Sequence, residues 1–220
     1  MEILDTWRRD WALAGWSYRP MARSDGRLIP VDLRPPEVRR RWLQRLFGQL
    51  SAVLGDFGYP TKVEVSTLSK GELSYAVDWR SPGGPAALMA FFEQANDIFG
   101  VIVTLNLACL GRDLEPMEIE EGATLWLNTL LTDSGDLNVA QEDPVYIRVV
   151  LNADIYAPRS HGQVQDNSLL AALNGPRLAG LLDRIERDVP AELFEIYDDQ
   201  YRGMLGPRGF RAPSGAASDA

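Results

Sequence analysis

The sequence predicts an α+β fold: a mainly antiparallel sheet of about five strands with helices packed on one face. The 220 residues are 45% hydrophobic and 24% charged, which is the balance of an ordinary globular domain. Apolar residues recur with helical spacing in some segments and alternate in others. The alternating segments follow one another in runs rather than in strict exchange with helices, and this order favours an antiparallel sheet.

The first 36 residues are expected to be an N-terminal helix or arm followed by a connector. Apolar residues recur at three- and four-residue intervals at Ile3, Leu4, Trp7, Trp11 and Ala14. This spacing predicts a short amphipathic helix, with an irregular arm anchored by tryptophans as the alternative. Residues 17–36 contain four prolines and Gly26, which is typical of an extended connector.

The clearest predicted helix begins at Pro35 and Pro36 and ends at Gly55 and Gly58. Its apolar stripe consists of Val38, Trp42, Leu46, Leu50 and Val53, widened by Leu43, Phe47 and Leu54. The stripe is surrounded by Arg39, Arg40, Arg41 and Arg45. These arginines could form a phosphate-binding stripe, but the simpler expectation is an exposed helix face whose aliphatic stems cover apolar surface.

Five strands are predicted, at residues 62–68, 73–79, 101–110, 123–131 and 145–156. The turn at residues 69–71 joins the first two into a hairpin, and an acidic loop is expected over residues 111–122. Further helices are expected over residues 86–99, over residues 168–189 with an interruption near Pro176, and from Pro190 to Tyr201. Residues 37–205 thus form one predicted domain, and residues 206–220 a disordered tail.

Catalytic and metal-binding motifs are absent from the sequence. Cys109 and His161 are the only cysteine and the only histidine, so a disulfide or a Cys/His zinc site within one chain is excluded. The two could pair as a nucleophile and a base, but Cys109 lies near the end of an apolar strand, where cysteine acts as a small hydrophobe. Phosphate-binding glycine loops and serine-nucleophile motifs do not occur. The sequence predicts no catalytic group, no metal and no cofactor.

The charge is distributed unevenly along the chain. The net charge is −9, but residues 1–45 hold ten arginines and six acidic residues, giving +4. The remainder holds 12 basic and 25 acidic residues, giving −13. This overall acidity argues against nucleic-acid binding. The longest apolar stretches fall well short of the roughly 20 residues of a membrane span, so no membrane association is expected. The single cysteine fits a cytoplasmic location.

A protein-binding role follows from the N-terminal tryptophans and arginines, residue types that protein interfaces favour. The predicted partner-binding residues are Trp7, Arg8, Trp11 and Trp16. The element order and the acidity resemble those of small bacterial binding modules such as secretion chaperones and toxin immunity proteins, a resemblance of architecture alone. We therefore expect a non-catalytic protein-binding module of a bacterial cytoplasm, an immunity protein, inhibitor or chaperone, with its oligomeric state left open.

Two alternatives remain open from the sequence. The first is an enzyme or small-molecule sensor with a pocket between the sheet and the helices. That pocket would be lined by Tyr75, Trp79, Trp126 and Tyr156, with polar contacts from Arg148, Asp154 and His161. The second is a structural subunit of a larger assembly.

Overall fold

The computed structural model describes residues 7, 9–76, 79, 86–95, 97–160, 165–198, 200–201 and 203–211. The long strands are β1 (Arg9–Ser24), β3 (Gly58–Thr67), β5 (Ile98–Leu110), β6 (Pro116–Thr129), β7 (Val145–Ala153) and β10 (Ala191–Asp198). The short strands are β2 (Arg27–Pro30), β4 (Gly71–Ala76), β8 (Arg159–Ser160), β9 (Gln165–Asp166), β11 (Leu205–Gly206) and β12 (Gly209–Phe210). The helices are α1 (Pro36–Leu54), α2 (Ala86–Gln94) and α3 (Ser168–Asp188), with a 3₁₀ turn at Asp154–Tyr156.

The main sheet has eight strands, not about five. Its order is β10-β1-β7-β6-β5-β3-β4, with β2 paired to the far half of β1, and every pairing in it is antiparallel. The α+β class and the mainly antiparallel sheet are thereby confirmed. The five expected strands correspond to β3 through β7, and the prediction missed β1, β2 and β10.

The N-terminal segment is a strand inside the sheet over residues 9–24, where a helix, arm or connector was expected. Trp16 and Tyr18 point into the core, as alternation along a strand requires, and both are fully buried. β1 pairs with β10 on one side and with β7 on the other. Residues 9–24 are therefore part of the domain and not an arm outside it; residues 1–6 lie outside the described residues.

Two further segments differ from their predicted structure. The acidic stretch expected as a loop over residues 111–122 is a loop only as far as Glu115, because β6 begins at Pro116. The segment after Pro190, expected as a short helix, is the edge strand β10. In both segments, pairing with a neighbouring strand outweighs the local sequence preference for a loop or a helix.

One large hydrophobic cluster joins the sheet to the helices. Alternate residues of β3, β5, β6 and β7 are buried in it together with Leu43, Phe47, Leu88, Phe92 and Leu182 of the three helices. The predicted helix that begins at Pro35 and Pro36 is confirmed as α1. It is capped at its C-terminal end by Gly55, which has a positive φ of 55°. α2 is shorter than expected, and α3 continues through Pro176 without the expected interruption. That all helices cover one face stays a prediction.

The segment 206–211, expected to be part of a disordered tail, is ordered. β11 and β12 form a small hairpin that packs Phe210 against Trp16 and Tyr201. The indole Nε1 of Trp16 donates a hydrogen bond of 2.8 Å to the carbonyl oxygen of Gly206. The hairpin therefore closes over β1, and residues 212–220 lie outside the described residues.

Candidate functional site

The four predicted partner-binding residues do not form one surface in the described structure. Trp16 is fully buried in the core, where it cannot contact a partner. Trp7 is half-buried and packs against the same core cluster. Arg8 and the side chain of Trp11 lie outside the described residues. The prediction fails for Trp16 because the strand turns this side chain inward.

The residues of the predicted pocket are also dispersed. Tyr156 is fully buried and its ring stacks on Phe57 at a centroid distance of 5.7 Å. Asp154 is fully buried as well, and its carboxylate accepts a hydrogen bond of 2.9 Å from the hydroxyl group of Tyr201. Both side chains therefore belong to a filled interior and not to a cleft.

The remaining predicted pocket residues lie in two different places. Tyr75 contacts Phe91 and Trp79 contacts Phe47, so both pack beside α1 and α2. Trp126 and Arg148 are instead cross-strand partners at half-buried positions that alternate with the core residues of β6 and β7. His161 lies outside the described residues. The described members of the set do not enclose a common pocket.

Cys109 has the environment of a core residue and not of a nucleophile. It is buried, and its Sγ lies 3.8 Å from the hydroxyl group of Tyr156. Burial raises the pKa of the Cys109 thiol to about 11. Thiol nucleophiles need a lowered pKa, so the described surroundings of Cys109 do not activate it.

The polar side of the sheet holds a hydrogen-bonded network around Arg148. Its Nε donates to Ser17 Oγ at 2.7 Å, and its Nη2 pairs with the Glu195 carboxylate at 2.6 Å. Ser17 Oγ in turn donates to Glu195 at 3.0 Å. These contacts join β7, β1 and β10. Arg148 is thus committed to holding the strands and is not available as the pocket cation that the sequence suggested.

A second polar group lies where β1 and β6 bulge on either side of β7. Ala12 and Glu121 both have a positive φ, of 51° and 49°. Asn152 on β7 bridges them: its Oδ1 accepts from the Ala12 amide at 3.2 Å, and its Nδ2 donates to the Glu121 carbonyl at 3.1 Å. Asn152 thus satisfies backbone groups of two bulges, which accounts for this buried amide without a ligand.

A cleft of about 500 Å³ lies at the opposite end of β1, between the β1–β2 hairpin, α1 and the C-terminal end of α3. We call it the arginine cleft, because Arg23 of β1 and Arg41 and Arg45 of α1 line it. Arg41 and Arg45 are one turn apart and therefore face the same way. Its apolar lining comes from Met21, Val31, Val38, Trp42, Leu46 and Val189.

Trp42 lies at the junction of two hydrophobic clusters within this cleft. It is half-buried and packs against both the main core and a small cluster of Leu33, Leu137 and Val145. The backbone amide of Met21 donates a hydrogen bond of 2.8 Å to the Pro190 carbonyl, which ties β1 to the end of α3. The lining of the arginine cleft is therefore held in place by β1, by α1 and by the chain at the end of α3.

The three arginines of the cleft are exposed, and Arg23 also lines a neighbouring cleft with Asp183, Glu186 and Glu192. Among the described residues, none forms an ion pair with Arg23, Arg41 or Arg45. Asp188 also lines the cleft, but its carboxylate is held by Arg187 at 2.7 and 2.8 Å. This contact keeps the pKa of Asp188 below its usual value. The Asp188–Arg187 pair is neutral and leaves the cleft positive.

Arg39 differs from its neighbours, although the sequence groups them together. Its side chain is only 4% exposed and donates hydrogen bonds to the carbonyl oxygens of Leu33, Arg34 and Gly135. It anchors the start of α1 and is not part of an exposed stripe. The prediction that these arginines lie on a solvent-exposed helix face is therefore correct for Arg41 and Arg45 and wrong for Arg39.

Beside the cleft, the β1–β2 hairpin extends as a two-stranded ribbon. Its turn residues Asp25 and Gly26 both have a positive φ, which suits a tight hairpin turn. All four residues of β2 are exposed, including Leu28 at 41% and Ile29 at 45%. Because successive strand residues point to opposite faces, both faces of the ribbon carry an exposed apolar side chain. We call this segment, residues 21–30, the β1–β2 ribbon.

No family profile matches the chain, and no curated protein and no solved structure shows a significant similarity to it. Within the described ranges, no helix is long and apolar enough to cross a membrane. In the same part of the chain, no three His, Cys, Asp or Glu side chains come together as a metal site. We take the arginine cleft and the β1–β2 ribbon as the candidates for function, because they combine exposed arginines with exposed or half-buried apolar side chains.

Proposed function

We propose that this chain is a non-catalytic protein-binding module, acting in a bacterial cytoplasm as an immunity protein, inhibitor or chaperone, and that the β1–β2 ribbon is its docking element. The observation that supports this proposal is the exposure of Leu28 and Ile29 on the ribbon. A two-stranded ribbon is only marginally stable in water unless something packs on it. Exposed apolar side chains on a strand whose outer edge is unpaired among the described strands favour a role in partner contact.

The chemistry of the ribbon favours a protein as the partner. β2 pairs with β1 on one edge, and among the described strands none pairs with its other edge. A free strand edge can accept a strand from another chain through backbone hydrogen bonds. The flanking Arg23 and Arg27 add positive charge, so the preferred partner is an acidic protein.

The test is site-specific photo-crosslinking in the native host. A benzoylphenylalanine at Ile29 is expected to give one discrete crosslinked protein. The same probe at Ser74, an exposed residue on the opposite edge strand β4, serves as the matched control and is expected to give no such product. Equal labelling from both positions, or no discrete product from Ile29, would contradict the proposal.

Binding of the captured protein is then measured with purified components. Leu28→Ser combined with Ile29→Ser is expected to weaken the complex by about tenfold or more, because both apolar contacts are lost. The melting temperature should change little, since neither side chain belongs to a buried core cluster. Leu68→Ser, which changes a residue that is 47% exposed in a turn outside the ribbon, is expected to leave the affinity unchanged.

A further inference from the structure

We infer that the arginine cleft binds an acidic segment of the partner that carries one large apolar side chain. This inference rests on the proposed function and names the chemistry of the contact beside the β1–β2 ribbon. The cleft combines three guanidinium groups with an apolar lining that includes Trp42. Neither feature alone would specify the ligand, but the two together do.

The charges argue for carboxylates. Like charges gathered around one cleft repel one another, and among the described residues none forms an ion pair with Arg23, Arg41 or Arg45. An anion placed between them would form charge-assisted hydrogen bonds, for which guanidinium groups are the preferred donors. The whole chain carries −9, so its net charge repels an acidic partner, and the attraction of carboxylates is confined to this positive cleft.

The lining argues for an apolar anchor next to the carboxylates. Trp42 is half-buried with Val31 and Val38 beside it, so part of its ring remains open to a ligand. Interfaces place such tryptophans where one side chain of the partner is inserted. A bare phosphate or a nucleic-acid backbone would leave this apolar surface uncovered, which is why we favour a peptide segment.

The size of the cleft argues for a short segment. Its volume of about 500 Å³ is in the range of pockets that hold a few side chains, not a folded domain. The ribbon contributes Met21, Ala22 and Arg23 of β1 to the lining, and β2 pairs with this part of β1. One partner segment could therefore use both surfaces.

The first test is selection from a random-peptide phage library on the immobilised protein, with counter-selection on the Arg41→Glu, Arg45→Glu double variant. Enriched peptides are expected to combine Asp or Glu with a nearby Trp, Phe or Leu. Enrichment of neutral or basic peptides, or of peptides that the double variant binds equally well, would overturn the inference. Both arginines are exposed, so the variant should fold, and its circular dichroism and melting temperature verify this.

The second test locates the contact by ¹⁹F NMR of protein labelled with 5-fluorotryptophan. A selected peptide is expected to shift the Trp42 resonance, assigned through Trp42→Phe, and not that of the buried Trp16. Arg45→Glu should weaken binding by about tenfold. Arg45→Lys should weaken it less, and Arg112→Glu, an exposed site outside the cleft, should leave it unchanged. A peptide that binds without moving Trp42 would refute the inference.

Decanoate is the probe for a competing ligand class. If decanoate shifts the Trp42 resonance and displaces the selected peptides at equal or lower concentration, the cleft is a site for small amphipathic anions and the inference fails. Failure here is distinguishable from failure of the proposed function. A partner that needs Leu28 and Ile29 but tolerates Arg45→Glu would refute only the cleft, whereas acidic peptides that move Trp42 without any partner on the ribbon would refute only the ribbon.

Discussion

Trp16 illustrates how the role of one side chain depends on distant parts of the chain. In sequence it is one of several N-terminal tryptophans, and their number suggests an interface. In the structure its ring is buried and its Nε1 donates to the Gly206 carbonyl, 190 residues further along the chain. A neighbouring feature, the exposed Leu28 and Ile29, takes its place as the candidate for partner contact.

Cys109 leads to a prediction about reactivity. Because burial raises its thiol pKa to about 11, almost no thiolate exists in the native protein at pH 8. We expect no reaction with a disulfide reagent such as Ellman's reagent in native buffer and full reaction of one thiol in guanidinium chloride. Rapid native labelling at pH 8 would show that Cys109 is accessible and would contradict its place in the core.

The same pKa gives a pH dependence of stability. The unfolded thiol loses its proton near pH 9, whereas the folded thiol keeps it up to about pH 11. The stabilisation is therefore fully present below pH 9 and is lost as the pH rises from 9 to 11. Chemical unfolding across this range should show a steeper loss of stability in the native protein than in Cys109→Ala, which lacks the titrating group.

Among the secondary-structure elements, α3 is hydrogen-bonded to the end of β5 through the buried amide of Asn174. Asn174 is fully buried, and its Nδ2 donates to the Leu110 carbonyl at 3.0 Å. Its Oδ1 accepts from the Leu110 amide at 2.8 Å, so both backbone groups at the end of β5 are satisfied by one helix residue. The segment that the sequence predicts to interrupt the helix is in fact its anchor.

Asn174→Ala is expected to destabilise the protein by about 3 kcal/mol, because the amide and carbonyl groups of Leu110 lose their partner. Urea unfolding at pH 7 measures this change. Asn128→Ala, at a half-buried position on the polar side of β6, is the control and should change stability by less than about 0.5 kcal/mol. A similar effect of the two substitutions would show that Asn174 does not anchor α3.

For the whole molecule, the position of β1 decides which part of the chain can fold. β1 lies between β10 and β7, so it joins the last long strand to the rest of the sheet. Its buried residues Ala14, Trp16 and Tyr18 belong to the main core cluster. An N-terminal arm could be removed without harm, but an inner strand cannot.

Removal of residues 1–24 is therefore expected to abolish cooperative folding, since β10 loses its only strand partner among the described strands and the core loses Trp16 and Tyr18. Thermal unfolding followed by near-ultraviolet circular dichroism tests this. Ile29→Ser, a change on the exposed ribbon, should keep the transition of the full chain. A cooperative transition in the truncated chain would contradict the central role of β1.

Local sequence patterns were sufficient to predict the elements whose structure is determined by residues close together in the chain. The stripe and the terminal prolines and glycines of α1, the tight turn between β3 and β4, and the apolar runs of β5 and β7 are all local signals, and the structure confirms these elements. The absence of recognised catalytic motifs could also be read directly. Arg41 and Arg45 were correctly expected on an exposed helix face.

Other features depend on contacts between residues far apart in the chain, and local patterns could not reveal them. β1 and β6 bulge near Ala12 and Glu121, which interrupts the alternation that identifies a strand. β10 is a strand because β1 pairs with it across more than half of the chain. The arginine cleft exists only where α3, α1 and the β1–β2 ribbon meet, since packing alone brings Arg23 to the arginines of α1.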